Sequence, residues 1–361
     1  MTTRRSFLKG GAAAAASVVF CSCGMLHTAN AQGSRQKLPV MVGGKRVRTI
    51  DVHAHCVIPE ASKLLGPPAA RNTVRGGDEV VIDMSKRLAA MDSQAVDMEV
   101  LSINPNWYGR DRELAAQVVS IQNEKLAELC ASKSDRFAGF ASLTLQAPDL
   151  AVQELETAVK KQGLKGAAIG GNVDGVAFSD PRFHPVWAKA EELGASLFIH
   201  PQGVPELNKQ LAGNGWLTNA IAYPMETTIA LSHMIFEGTF DKFPKLKVIA
   251  AHGGGFLPSY ADRSDHACLV NPAGCNPEIK LKKQPTEYLK QIYFDSLVFT
   301  PEALRHLAAQ VGVGQIVLGS DYPFPWQLQP VDHIFASTSF SDDEKADMLG
   351  RTAEKLLNFG A

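Results

Sequence analysis

Five side chains in this sequence could gather around a single cation: His53 and His55 in "DVHAH", His200 in "FIHP", His252 in "AHGGG" and Asp321 in "GSDYPFP". His53 and His55 stand two residues apart at the end of a β-branched run. A strand sends alternate side chains to the same face, so both imidazoles point the same way. Each of the other three also follows a short apolar run. Imidazole nitrogens joined by a carboxylate suit zinc first and manganese or iron second. Such an ion can polarise a coordinated carboxylate or make water nucleophilic near neutral pH. His184, His233, His266, His306 and His333 fall in predicted helices or loops, and no chemistry is expected of them.

The elements that must position these groups repeat along the chain. Strand-like runs are expected at 47–52, 98–103, 137–145, 166–173, 196–201, 247–253, 292–299 and 316–324. Helical stretches separate them. In "PDLAVQELETAVKKQG" Leu150, Leu155 and Val159 mark one face and Pro148 suits a first turn. "DPRFHPVWAKAEELG" ends in a glycine cap at Gly194, and "DRELAAQVVSIQNEKLAELC" reads as a third helix. Ser341, ahead of an acidic first turn, predicts a capped helix near the C-terminus. Eight alternations predict an α/β fold, a single (β/α)8 TIM barrel of the metal-dependent hydrolase type over residues 32–361. A doubly wound sheet would place a glycine-rich phosphate loop after its first strand, and "DVHAHCVIP" has none. Reactive groups of barrels collect at the carboxyl ends of strands, where all five candidates stand. Strand four ends "IGGNV" without the lysine that bridges two-metal barrels, so one divalent ion is expected.

The composition is that of an ordinary globular enzyme: 361 residues, 45% hydrophobic, 36 basic against 37 acidic side chains. This balance carries no nucleic-acid footprint. Residues 1–31 read as an export signal of the twin-arginine type, with Arg4 and Arg5 before "SFLKG", the weakly apolar "GAAAAASVVF", and Ala29 and Ala31 around a cleavage point. The apolar run is shorter than the ~20 residues a membrane span needs, so no stable anchor is expected and the mature chain belongs in the periplasm or outside the cell. Of six cysteines, Cys21 and Cys23 leave with the signal. Cys56, Cys130, Cys268 and Cys275 remain without CxxC spacing, and an oxidising compartment would allow a short-loop disulfide between Cys268 and Cys275.

Long blocks carry a more specific signal. From "DVHAH" through "DRFAGFASLTLQAPDLAVQELE", "METTIALSHMIFEGTFDKFPKLKVIAAHGGG" and "YFDSLVFTPEALRHL" to "VLGSDYPFP", the chain resembles the amidohydrolase superfamily. Within it, the likeness is to the family typified by 2-amino-3-carboxymuconate 6-semialdehyde decarboxylase. The resemblance implies that His53, His55, His200 and Asp321 bind the metal and that His252 assists catalysis. It also implies that Arg263 binds a small-molecule carboxylate substrate across a homodimer interface. Two departures stand out. The family's second substrate arginine has Arg75 as its nearest counterpart, and a histidine of the strand-seven loop is replaced by Phe299, which predicts a less charged substrate. The expected activity is metal-dependent, non-oxidative decarboxylation of a small aromatic or unsaturated acid, with His252 and Asp321 as catalytic groups. Hydrolysis of an ester, lactone or amide by the same groups is the alternative enzyme reading. A non-catalytic periplasmic metal- or ligand-binding protein is the third.

Overall fold

The computed structural model describes residues 39–66 and 84–359. The export signal at 1–31 and Arg75 lie outside the described residues. A short antiparallel hairpin, Met41–Val42 against Lys45–Arg46, leads into eight strands: β1 (Ile50–His55), β2 (Met98–Ser102), β3 (Phe137–Gly139), β4 (Gly166–Ile169), β5 (Ser196–Ile199), β6 (Lys247–Ala250), β7 (Ile292–Asp295) and β8 (Ile316–Val317).

Every barrel pairing is parallel, in chain order. β1–β2–β3 form one run and β4 through β8 another. Short bridges join the runs at both seams. Ala141 pairs with Ala167, and its amide donates to the Gly166 carbonyl at 2.8 Å. At the other seam Asp51 pairs with Leu318 and Ala54 with Tyr322, and the Val52 amide donates to the Leu318 carbonyl at 2.9 Å. The ring therefore closes into the expected TIM barrel.

Strand one begins later than its β-branched run suggests. The Val47 amide bonds to the Val40 carbonyl at 2.9 Å, so Val47 belongs to the hairpin, whereas pairing with β2 runs on to His55. A register shift between Asp51 and Ala54 also changes which side chains face inward. Ile50 and Val52 pack in the barrel interior with Val100, Phe140 and Phe198. Beyond the shift His53 turns inward too, its ring against Phe198 at 5.0 Å, while Ala54 packs on the outer, helix-covered side. A bulge of this kind re-aims side chains beside active sites.

The surrounding helices follow their sequence signals. Asp111 accepts the Leu114 amide at 2.9 Å and starts Arg112–Ser132. Pro148 opens Pro148–Lys160, whose buried face is Ala151, Leu155 and Ala158, so that of the expected Leu150, Leu155 and Val159 only Leu155 is buried and the other two are half-buried. Gly194, at φ 63°, ends His184–Leu193 in the left-handed conformation that glycine adopts without Cβ strain. Ser341 and Glu344 form a reciprocal capping box. Cys268 and Cys275 are disulfide-bonded, and Cys56 and Cys130 are free thiols. Among the described residues no helix is long and apolar enough to cross a membrane.

Candidate metal centre and active site

His53 and His55 from β1, His200 just past β5 and Asp321 past β8 converge, with one ligand atom from each lying within 4.8 Å of all the others. The Nε2 atoms of His53 and His55 are 3.1 Å apart. Asp321 Oδ1 stands 3.1 Å from His53 Nε2, 2.9 Å from His55 Nε2 and 3.9 Å from His200 Nε2. All four residues are buried.

The supporting hydrogen bonds aim lone pairs at this point. His53 Nδ1 donates to Asp295 Oδ2 at 2.6 Å, which fixes one ring proton there and turns Nε2 toward the cluster. The Ser102 hydroxyl donates to the Ala54 carbonyl at 3.1 Å, so toward His55 Nδ1, 3.0 Å away, it can only accept. His55 Nε2 is left as an acceptor. Neither ring nitrogen of His200 has a hydrogen-bond partner among the described residues, although the ring is buried. Orphaned imidazole lone pairs in a dry pocket are costly unless a cation uses them. Three nitrogens and one carboxylate oxygen are the donor set of a single divalent ion, and the residues fit one.

Charge tells the same story. Burial tends to lower the pKa of His53, but the Asp321 and Asp295 carboxylates outweigh it and push it up to about 10. Burial and the neighbouring imidazoles hold His200 well below its ordinary range, and burial lowers His55, so both offer neutral rings. Burial would raise Asp321, yet His53 and its hydrogen-bonding imidazole neighbours hold it well below the usual carboxylate range. The pocket thus concentrates carboxylate charge beside two neutral imidazoles, and holds a proton on His53 that a cation would replace.

His252 stands beside this cluster, its Nε2 3.5 Å from Asp321 Oδ2. One oxygen of Asp321 thus faces the ligand nitrogens and the other faces His252. Both residues adopt left-handed backbone, φ 56° at His252 and φ 64° at Asp321, which is rare for side chains bearing a Cβ. Asp295 imposes the first of these turns: it accepts the His252 amide at 2.8 Å and the Gly253 amide at 2.7 Å. Gly255 continues it at φ 67°, where a Cβ would meet the Pro224 carbonyl oxygen at 2.0 Å. At Asp321 the amide donates to the His53 carbonyl at 2.8 Å, and Ser320 bonds through its hydroxyl and amide to the buried Asp51.

A second buried pair lies beneath β1. Arg87 Nε donates to Glu99 Oε2 at 2.6 Å, its Nη1 to the His55 carbonyl at 2.7 Å, and its guanidinium sits 5.0 Å over the Tyr322 ring. Neither Asp295 nor the Arg87–Glu99 pair was expected from sequence. Asp295 carries a readable signal, an acid inside the apolar "IYFDSLVF". With β7 read through to Phe299 it fell mid-strand, whereas the strand ends at Asp295 itself.

His252 also lines a cavity of about 430 Å³ bounded by Tyr223, Phe256, Leu297, Val298, Phe299 and Trp326 among others. Phe299, the residue expected to make the pocket less charged, is part of this wall. Arg263 is not. It is exposed on the helix Asp262–Val270 and lines a separate groove with Tyr260, His266 and His306. His184, His233, His266, His306 and His333 lie on helices outside the cluster.

Comparison with known proteins agrees with this geometry. The sequence profile described as amidohydrolase matches residues 50–359. A 2-amino-3-carboxymuconate-6-semialdehyde decarboxylase from Dictyostelium discoideum is 34% identical over 281 residues, 76% of this chain and 76% of that protein. A gamma-resorcylate decarboxylase from Rhizobium sp. (strain MTP-10005) is 30% identical over 288 residues, covering 75% of this chain and 85% of the relative. The crystal structure of a 2,6-dihydroxybenzoate decarboxylase with bound 2,6-dihydroxybenzoate superposes with a TM-score of 0.76 at 25% identity, over 87% of this chain and 100% of that one. With the profile spanning the whole barrel, from β1 to the final helical turn, the chain belongs to the amidohydrolase family.

Proposed function

We propose that the protein is a metal-dependent, non-oxidative decarboxylase acting on a small aromatic or unsaturated carboxylic acid. One observation carries this reading: His252 lies within 3.5 Å of the ligand cluster and also forms part of a mainly apolar cavity wall, so a single imidazole would face both a bound cation and a substrate ring. When bound, the ion supplies Lewis acidity that withdraws electron density from the substrate carboxylate. His53, His55, His200 and Asp321 would hold it. In the overall reaction the bond between the ring carbon and the carboxylate breaks, carbon dioxide leaves, and the electron pair left on carbon takes up one proton. His252 Nε2, paired with Asp321 Oδ2, holds and delivers that proton. The apolar cavity wall excludes water and strengthens these charge interactions.

The test is carbon dioxide release from aromatic acids. It should stop on chelation and return with zinc or manganese. Full activity after exhaustive metal removal would overturn the reading, and ester or lactone cleavage without carbon dioxide would favour the hydrolytic alternative. Zinc is proposed as the first metal on the strength of the three imidazoles.

The working unit is proposed to be a homodimer in which Arg263, exposed and outside its own cavity, reaches the neighbouring site. Mixing His252→Ala and Arg263→Ala proteins should restore part of the activity that each has lost. Residues 1–31 are proposed to direct twin-arginine export to the periplasm. The Cys268–Cys275 bond, which an oxidising compartment preserves, supports this, and cell fractionation with Arg4→Lys and Arg5→Lys tests it.

A further inference from the structure

The cavity wall and the mouth above it are built from aromatic and aliphatic groups contributed by different loops. Phe299 and Thr300 follow β7, Trp326 follows β8, and Phe256 follows the glycine turn after His252. Trp326 is flanked on two sides. Trp216 stacks on it, with ring centroids 5.6 Å apart and planes 17° from parallel, and Phe299 leans against it at 6.1 Å. Yet Trp216 and Phe299 are each 61% exposed. Large aromatic surfaces left in water at the rim of a catalytic cavity mark a binding surface. Among the described residues lining the cavity there is no lysine, arginine, aspartate or glutamate, so apart from His252 and a few neutral polar groups nothing there would recognise a charged or heavily hydroxylated ring. The cavity, about 430 Å³, is also several times larger than one benzene ring needs.

We propose that the substrate is an aromatic acid with a bulky apolar extension, a fused or second ring, whose carboxylate end reaches His252 and whose far end lies against the cavity wall formed by Phe299 and Trp326, with Trp216 bracing Trp326 from behind. This deepens the decarboxylase reading and rests on it for the reaction, although the binding preference stands on the cavity alone. An apolar extension gains by leaving water for this wall, and a ring laid against an indole gains stacking in addition. A polar substituent against Phe299 and Trp326 gains neither of these and gives up part of its hydration.

The experiment compares 1-hydroxy-2-naphthoate, 2-hydroxybenzoate and 2,6-dihydroxybenzoate with the metal-loaded full chain, by carbon dioxide release and by calorimetric titration. The expected result is a kcat/KM and an affinity at least about tenfold higher for the naphthoate than for either single ring. In Trp326→Ala that ratio should fall toward one, and in Phe299→His it should move toward the dihydroxy acid. Circular dichroism identifies a variant that has not folded, in which case the other carries the test. Equal turnover of the three acids, or preference for the dihydroxy compound, would overturn the inference while leaving the decarboxylase reading intact. If no acid releases carbon dioxide, the decarboxylase reading fails and the titration alone decides. Tighter naphthoate binding that is lost in Trp326→Ala then supports the inference, and equal binding sinks it.

Discussion

The ligand cluster and the cavity mouth lie next to each other and are built in opposite ways. In the cluster each side chain is buried, and two of the three ligand imidazoles, His53 and His55, are held from behind by a specific acceptor. At the mouth the large rings are half in water, on loops between elements, and touch mainly one another. The contrast separates two tasks. Chemistry needs atoms fixed to fractions of an ångström, which strand ends and second hydrogen bonds provide. Choice of substrate needs only a surface of suitable shape and polarity, which loops supply and can change without disturbing the barrel.

Substitutions should therefore have unequal effects in the two regions. Replacing His200 or Asp321 with alanine should remove the metal and lower kcat by about a thousandfold or more, measured by metal content and turnover together. Asp295→Asn keeps the shape but weakens the acceptor that orients His53 and the His252 turn. Metal affinity in chelator competition should drop about 10- to 100-fold, with kcat falling in parallel. Arg87→Met leaves Glu99 buried without its cation and should cost about 3–5 kcal/mol in urea unfolding, because an orphaned buried charge is expensive. Proton release gives a pH-dependent check. The Asp321 and Asp295 carboxylates push the pKa of His53 up to about 10, so in the metal-free protein at pH 7 its Nε2 holds a proton that metal must displace. Zinc added to unbuffered metal-free protein should acidify the solution, and apparent affinity should fall as pH is lowered. Least of all, Phe299→His should change stability by no more than about 0.5 kcal/mol while altering selectivity. A large loss of stability there would erase the distinction between the regions.

Much of the first region was legible in the sequence, and little of the second. His53, His55, His200, His252 and Asp321 could be read because each ends or follows an apolar run, and a parallel barrel brings such ends to one rim. The eight strands were found for the same reason, though "IYFDSLVF" and "IVLGSDYPF" ran on past the true ends of β7 and β8. Apolar content alone does not say where ladder hydrogen bonding stops. That overrun hid Asp295. The pairing of Arg87 with Glu99 joins a helix to β2, and the register shift in β1 depends on partners far along the chain, so neither has a local signature. Phe299 was noticed as a departure, but its neighbour Trp326 was not. Stacking between Trp216 and Trp326, 110 positions apart, is decided by loop conformation.

The seam between β1 and β8 has a consequence for how the chain matures. His53 lends its carbonyl to the Asp321 amide, and Asp51 takes the Ser320 hydroxyl, so the opening and closing strands are tied together where the cation would sit. Asp51 and Ser320 are separated by 269 positions, and during synthesis the first strand must wait, edge uncovered, until nearly all of its domain has left the ribosome. Ring closure and completion of the four-residue ligand set then become a single late event.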